Sequence, residues 1–397
     1  MDVLFSVLPG HGHFFPHLPL ARAIAAAGHR VRVASSGSYG PTIRAHGFEP
    51  VAVGPDRTLA SAGGSGDPAD RAARLMEKMF VEGPPAVLDS LVEVMAADRP
   101  DVAIVDTEDH GGRVAAERLE VPAGSVVNGV RAFALLGRLA LGRPAGEGPA
   151  GYRAVIRGLR ERAGVPEPDL MSHELPHDRT LNLCQAPPSL EAWPHDWLSH
   201  TSHPLRPEPY STGDPEPWLD EMPRDRPLVA VTLGTLFGAP EVYGAVVRGA
   251  LATGARVIAT AAGPIEGDED RLVTVPWVSM DRLMETADAV VHHAGWGSTI
   301  AALASGTPAV AVPLGADQPA TAARLHSAGA ALAVQPGPSL EAGVRAAVGR
   351  VLEEAVFRLN AERLRREIEA MPAAPEVVPL VEELAATGGP VLNRRSG

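Results

Sequence analysis

The stretch VLFSVLPGHGHFFPHLPLARAIAAAGHRVRVASS, residues 3–36, decides the fold class. Its opening VLFSVLP reads as a buried strand, HLPLARAIAAAG as a helix stopped by Gly28, and RVRVASS as the next strand. Strands this close, joined through a helix, pair in parallel and need helices to cover both faces of their sheet. The alternation recurs in DVAIVD (101–106), a helix through GGRVAAERLE, and a strand near GSVVN. The expected architecture is α/β and doubly wound.

Further along, seven prolines from Pro204 to Pro227 interrupt the pattern and read as an interdomain linker. The alternation then restarts with LVAVTLGT, PEVYGAVVRGALATG, RVIATAAG, RLVTVP, AVVHHAG and PAVAVPL, a second doubly wound unit. The segment AGVRAAVGRVLEEAVFRLNAERLRREIEAM is helical throughout, PAAP breaks it, and EVVPLVEELAAT resumes. This last helix either crosses back to the first domain or simply ends the chain. The expected divisions are a first domain at 1–203, a linker at 204–227, a second domain at 228–371 and a C-terminal helix at 372–397.

Composition removes several classes of function. The 397 residues are 45% hydrophobic, enough for two cores, and the net charge of −13 comes with no basic block. Nucleic-acid binding needs a basic face, so it is not expected. The single cysteine, Cys184, excludes an internal disulfide and a multi-cysteine zinc site. Lys78 is the only lysine and sits in MEKMF, so a Walker A phosphate loop is ruled out. No basic n-region precedes the apolar run Val3–Leu8, and no window reaches the roughly 18 apolar residues of a membrane span, so a cytoplasmic location is expected.

Two motifs concern ligands. LPGHGHFF (8–15) offers Gly10 and Gly12, but Phe15 fills the third position of a dinucleotide fingerprint, and the second strand ends VASS without the ribose-binding acid. NAD is therefore not expected. VVHHAGWGSTIAALASGTP (290–308) is different: an apolar strand ends in His292 and His293 and runs through Gly295, Gly297 and Ser298 into a helix read from Thr299 to Ala304. A helix start offers unpaired N–H groups and a positive dipole end, which suits an anion such as a phosphate. His292 and His293 project to opposite sides of the strand, so only one of the pair can face such a ligand.

Taken together, GHGHFFPHLPLARAIAAAGHRVRVAS and VPWVSMDRLMETADAVVHHAGWGSTIAALASGTPAVAVPLGADQ resemble the family-1 nucleotide-sugar glycosyltransferases, in particular the bacterial group acting on natural products. The resemblance spans essentially the whole chain. It implies a GT-B fold, with the acceptor bound by the first domain, the donor by the second and chemistry in the cleft. It also implies inversion at the anomeric carbon, with no metal and no cofactor beyond the nucleotide-sugar co-substrate. The acid pair in GDED (267–270) is read as a solvated loop.

On the donor side the resemblance assigns His293, Ser298, Gly295 and Gly297 to the diphosphate, Trp277 and Val278 to the base, Gly234 and Thr235 to a second phosphate loop, and Asp317 and Gln318 to the sugar hydroxyls. Ala301 stands where plant members carry a ribose-binding Glu, which fits a deoxythymidine (dTDP) donor. Ser279, Met280, Ala294 and Trp296 also depart from the usual pattern.

On the acceptor side it assigns His13 as the base and Asp106 as the carboxylate that orients it. His11 and His17 are the rival bases, with His17 expected at the surface or in a cap, and Glu108 and Asp109 are the alternative carboxylates. An acceptor hydroxyl must lose its proton as the C–O bond forms, and neutral imidazole suits that task. ADRAARLMEKMF (69–80) and RAFALLGRLAL (131–141) offer Met76, Met79, Phe80 and Phe133 to a lipophilic acceptor, although core packing explains each equally well. The leading function is transfer of a sugar, such as a deoxysugar, to a hydroxyl of a hydrophobic aglycone such as a polyketide, in antibiotic or secondary-metabolite biosynthesis. A nucleotide-sugar epimerase and a non-catalytic binding subunit are the alternatives, and whether the chain forms a homodimer stays open.

Overall fold

The computed structural model describes residues 1–62, 70, 74–75, 77–129, 148–166, 179–190, 200–209, 216–234, 240–261, 263, 265–268, 270–315 and 317–393. It divides into two units. One comprises Met1–Ala186, Ala192–Arg206 and Pro372–Gly397, and the other Pro187–Glu191 and Pro207–Met371.

The first unit is built on a parallel sheet of β1 (Asp2–Ser6), β2 (Arg30–Ser35), β3 (Glu49–Ala52), β4 (Val102–Asp106), β5 (Ala123–Val127), β6 (Asn182–Cys184) and β7 (Ser202–Pro204), in the order β3-β2-β1-β4-β5-β6-β7. Side-chain alternation sends Val3 and Phe5 of β1 into one core and Leu4 into the other, which is why these strands read as continuous apolar runs. The first core is closed by helices Leu18–Ala26 and Ala374–Thr387, through Leu20, Ile24, Val377, Val381 and Leu384. Helices Gly83–Ala97 and His110–Arg118 close the second, with Leu88, Leu91 and Val114. The C-terminal helix is thus part of the first unit's core.

The second unit repeats the plan with β8 (Leu228–Thr232), β9 (Arg256–Thr260), β10 (Leu272–Val275), β11 (Ala289–His292), β12 (Ala309–Ala311) and β13 (Ala331–Ala333), all parallel, in the order β10-β9-β8-β11-β12-β13. Val231, Val257, Val291 and Val310 pack against Val246, Val247, Val344 and Val348. In each sheet the winding direction reverses once, between β1 and β4 and between β8 and β11. At such a reversal the loops diverge at the carboxyl edge and leave a crevice for a ligand.

The structure departs from the sequence reading in several places. β3, β6, β7 and β13 were not anticipated, being strands of three or four residues with little internal pattern. The long helical run is two helices, Leu340–Glu353 and Ala355–Glu369, parted at Glu354 by an extended ψ of 103°. The proline-rich stretch carries structure of its own: Leu205 is buried in the first core and Pro217–Asp220 forms a short helix.

Candidate active site

In the first unit, β1 leads through Val7–Gly10 into a short helix, His11–Phe14, whose Phe14 is anchored in the core. That anchor turns His13 toward the neighbouring strand. Its Nδ1 lies 2.8 Å from Oδ2 of Asp106, the last residue of β4. The His13 side chain keeps 16% exposure, whereas that of Asp106 is fully enclosed. The carboxylate accepts from Nδ1–H, so the neutral ring presents the lone pair of Nε2. The other Asp106 oxygen accepts the Glu108 backbone N–H at 3.0 Å. Burial alone raises the pKa of Asp106, but the charge and hydrogen bond of His13, with His17 and the Glu108 N–H, hold it below the usual carboxylate range.

The rival groups have structural roles. His17 is buried rather than at the surface, and its Nδ1 donates to the His13 carbonyl at 2.7 Å. Burial, the dominant influence, lowers its pKa against the pull of Asp106. His11 stacks on Phe15 with centroids 4.9 Å apart. Asp109 caps helix His110–Arg118 by accepting Gly112 N–H and also accepts Ser6 Oγ–H at 2.6 Å. Glu108 places Oε2 3.8 Å from His13 Nε2, a proximity that residue spacing did not reveal. Asn128, which was also missed, donates to the Gly12 carbonyl at 3.2 Å and ties the His13 loop to the end of β5.

A pocket opens at the carboxyl edge of this sheet, walled by Leu8, Val53, Leu59, Met79, Pro84 and Val87, with Arg57, Lys78, Glu108 and Asp109 on its polar side. Met79 and Phe80 fall in the π-helical turn Lys78–Glu82, which runs directly into helix Gly83–Ala97. Met76 and Phe133 lie outside the described residues.

In the second unit, the loops after β8 and β11 meet around one imidazole. A Cβ on Gly295 would stand 2.2 Å from His293 Nε2, and one on Gly234 2.7 Å from the same atom. Gly234 also adopts φ +70°, a left-handed conformation. Both positions therefore need glycine to leave room for the ring. His293 Nδ1 is buried without a hydrogen-bond partner. Burial lowers the His293 pKa to about 4, opposed by a bond to the Thr232 backbone, so the ring is neutral at pH 7. His292 is wholly buried, with its pKa brought down to about 3 by burial and by His293, and its Nδ1 accepts the Ala294 N–H at 3.1 Å.

The following helix begins at Trp296, earlier than the sequence suggested, which puts Gly297 and Ser298 in its first turn. Gly295 occupies the N-cap and no side chain caps the turn, so its N–H groups face the same edge. A Cβ at Gly297 would meet nothing within 4 Å. Trp277, 45% exposed, follows β10, and the adjoining Val278 is buried. Glu216, another residue that went unread, accepts the Ser279 N–H at 3.0 Å and holds this turn. Gln318 is buried, and its amide oxygen accepts the N–H groups of Leu314 and Gly315 at 2.7 and 3.1 Å. Asp317 stands at the N-cap of the same helix, Gln318–Ser327. Thr235 lies outside the described residues.

Residues 260–384 match the family described as erythromycin biosynthesis protein CIII-like, C-terminal domain. Over nearly the whole chain, L-demethylnoviosyl transferase of Streptomyces niveus is 31% identical across 403 residues, covering 97% of this chain and 98% of that one. The chain belongs to the natural-product group of family-1 glycosyltransferases. TDP-daunosamine transferase DnrS of Streptomyces peucetius is 28% identical over 433 residues, with 97% of each chain covered. Among solved structures, spinosyn forosaminyltransferase SpnP superposes with a TM-score of 0.77 at 26% identity, covering 97% of this glycosyltransferase and 99% of that chain. Two Rossmann-like units of this kind are the GT-B fold. Among the described residues of this glycosyltransferase, no group of three or more His, Cys, Asp or Glu side chains is arranged to hold a metal, and no helix is long and apolar enough to cross a membrane.

Proposed function

We propose that this glycosyltransferase moves a sugar, a deoxysugar carried by thymidine diphosphate, onto a hydroxyl of a hydrophobic polyketide-like aglycone, inverting the anomeric carbon. The setting would be antibiotic or secondary-metabolite biosynthesis in the cytoplasm. The observation that carries this reading is the 2.8 Å bond from His13 to the buried Asp106, with Glu108, 3.8 Å from His13 Nε2, lining a mostly apolar pocket. Two relatives add support by name, one a demethylnoviosyl transferase and one a TDP-daunosamine transferase.

In this reading His13 Nε2 takes the acceptor proton while the acceptor oxygen attacks the anomeric carbon. The bond from that carbon to the diphosphate oxygen breaks, and negative charge grows on the leaving group. Asp106 keeps the imidazole in the required tautomer and steadies the imidazolium. On the donor side, His293, Ser298 and the first-turn N–H groups of helix Trp296–Ser305 receive the diphosphate, fixed donors of the kind worth several kcal/mol where charge develops. Trp277 stacks on the base, Val278 reads its edge through the backbone, and Gly234 with Thr235 closes the phosphate loop. Asp317 and Gln318 hold the sugar hydroxyls. Ala301, fully buried in the donor helix, asks nothing of a 2′-hydroxyl. Met79 contributes to the acceptor wall, with Met76, Phe80 and Phe133 as further candidates.

The test is turnover of a dTDP-deoxysugar on a lipophilic alcohol. His13→Ala should lower kcat by about 10²–10⁴-fold, with thymidine diphosphate affinity held within about twofold, a factor worth only ~0.4 kcal/mol. Near-normal turnover in that variant would move the base elsewhere.

A further inference from the structure

We propose that His17 is a positioning residue for the reaction: from the buried side of the site it fixes the peptide of His13, and with it the aim of the imidazole. The inference rests on the reading of His13 as the base. His17 is 1% exposed and so out of a substrate's reach. Any effect it has on turnover must pass through its neighbours or through the fold.

His13 sits on a helix of a single turn, His11–Phe14, continued by the 3₁₀ turn Phe15–His17. So short a helix does not hold its own shape. Pro16 has no N–H, so the carbonyl four residues before it, that of Gly12, lacks its α-helical donor. Asn128 supplies a donor instead, at 3.2 Å. The next carbonyl, that of His13 itself, accepts Nδ1–H of His17 at 2.7 Å. A carbonyl only accepts, so this nitrogen carries the ring proton of the neutral imidazole. Gln185, just after β6, donates to the Pro16 carbonyl at 2.7 Å. Three side chains thus grip the turn that carries the base, and the bond from His17 is made to the base residue itself.

A role in packing alone does not explain a histidine at this place. Its Nε2 is buried with no hydrogen-bond partner among the described residues, and Phe5 packs edge-on against the ring, centroids 6.2 Å apart. An aliphatic side chain would fill the space without stranding a nitrogen. What an aliphatic side chain cannot supply is the donor to the His13 carbonyl. Burial, the dominant influence, also keeps the ring neutral, so it brings no second positive charge beside Asp106.

The experiment compares His17→Leu and His17→Asn with wild type in the full chain. It reads kcat and donor KM on a lipophilic alcohol, thymidine diphosphate affinity, and urea midpoints. Leucine removes both the donor and the stranded nitrogen, whereas asparagine keeps an N–H near the place of Nδ1 but leaves a cavity. His17→Leu should lose at least about tenfold in kcat, well inside the effect of a ~1 Å misplacement, with a urea midpoint no lower than that of wild type. Its donor KM and thymidine diphosphate affinity should hold within about twofold. His17→Asn should unfold at lower urea yet turn over several-fold faster than His17→Leu. His17→Met, equally without a donor and more pliant, stands in if the leucine variant does not fold. Unchanged kcat in the donorless variant, or losses of kcat that simply follow the urea midpoints, would overturn the positioning role. Turnover of His13→Ala is measured beside them. If that variant is unimpaired the base reading fails, whereas an essential His13 with normal turnover in His17→Leu counts against His17 alone.

Discussion

Two carboxylates three residues apart, Asp106 and Asp109, are both buried, yet the protein pushes them in opposite directions. Asp106 faces the imidazole and is held low, while Asp109 is raised to about 6, first by burial and then by the charge of Asp106, against the bonds from Ser6 and Gly112. In the unfolded chain an aspartate titrates near 3.9. A raised folded pKa means that the fold favours the protonated form, so the stability present near pH 4 is lost as pH rises through about 6. Asp109→Asn keeps a cap for Gly112, can donate to Ser6 Oγ, and has no charge to bury. It should be more stable than wild type at pH 8 by roughly 1–3 kcal/mol, with the gain shrinking toward pH 5, as read from urea midpoints. A gain that is the same at both pH values would show that charge burial is not the cause. Ala294 is a second residue-scale case, a non-glycine residue at φ +63° and fully buried. A left-handed conformation costs an alanine about 1–2 kcal/mol and a β-branched residue more. Ala294→Val should therefore lower the melting free energy by about 2 kcal/mol or more, while Ala294→Gly trades strain for a lost methyl contact and should stay within about 1 kcal/mol of wild type.

At the scale of elements, the candidate donor site is two strand ends and one helix start brought together where the sheet reverses. Gly234 after β8 and Gly295 after β11 leave the space in which the His293 ring sits. Gly295→Ala should displace the ring and weaken thymidine diphosphate binding by tenfold or more, about 1.4 kcal/mol, with Gly234→Ala similar and further burdened by its positive φ. Unchanged calorimetric affinity in both would remove His293 from the phosphate site. Because His293, Ser298 and backbone N–H groups are the proposed partners of the diphosphate, turnover should persist in excess EDTA. A complete loss restored by magnesium or manganese would contradict that assignment. These elements were legible in the sequence to different degrees. The βαβ alternation and the carboxyl-edge positions of His13, Asp106 and His293 followed from apolar runs ending in polar residues. Glu108 near Nε2, Asn128 on the Gly12 carbonyl and Glu216 on the Ser279 N–H did not, because each contact depends on a loop path or a long-range approach that no local period encodes. His17 was misplaced for a related reason: a histidine beside a helix start looks solvated until Phe5 is seen packing edge-on against it.

For the whole molecule, chain order and structural units do not coincide. The first unit takes its last helix from the far end of the sequence, after the second unit is complete. Ala374–Thr387 lays Val377, Val378, Val381 and Leu384 against the β1 face of the first core, and Val391 follows them into the same cluster. The chain is tied back on both sides of this helix, Arg206 N–H donating to the Pro372 carbonyl at 2.8 Å and Val391 N–H to that of Thr180 at 2.8 Å. Burying five such aliphatic side chains stabilises by about 8–15 kcal/mol, at roughly 1.5–3 kcal/mol each. That equals the net stability of a typical domain, about 5–15 kcal/mol. A chain ending at residue 371 should therefore lose the first unit as a cooperative fold, while the second, with the core of Val231, Val257 and Val291 closed by its own helices, keeps its structure. Limited proteolysis followed by mass spectrometry reads this directly: residues before 187 should be degraded and a fragment near 207–371 should survive. Thymidine diphosphate should still protect that fragment, because every proposed donor residue lies within it. Survival of the first unit in the truncated chain would mean that the C-terminal helix decorates a core already closed without it.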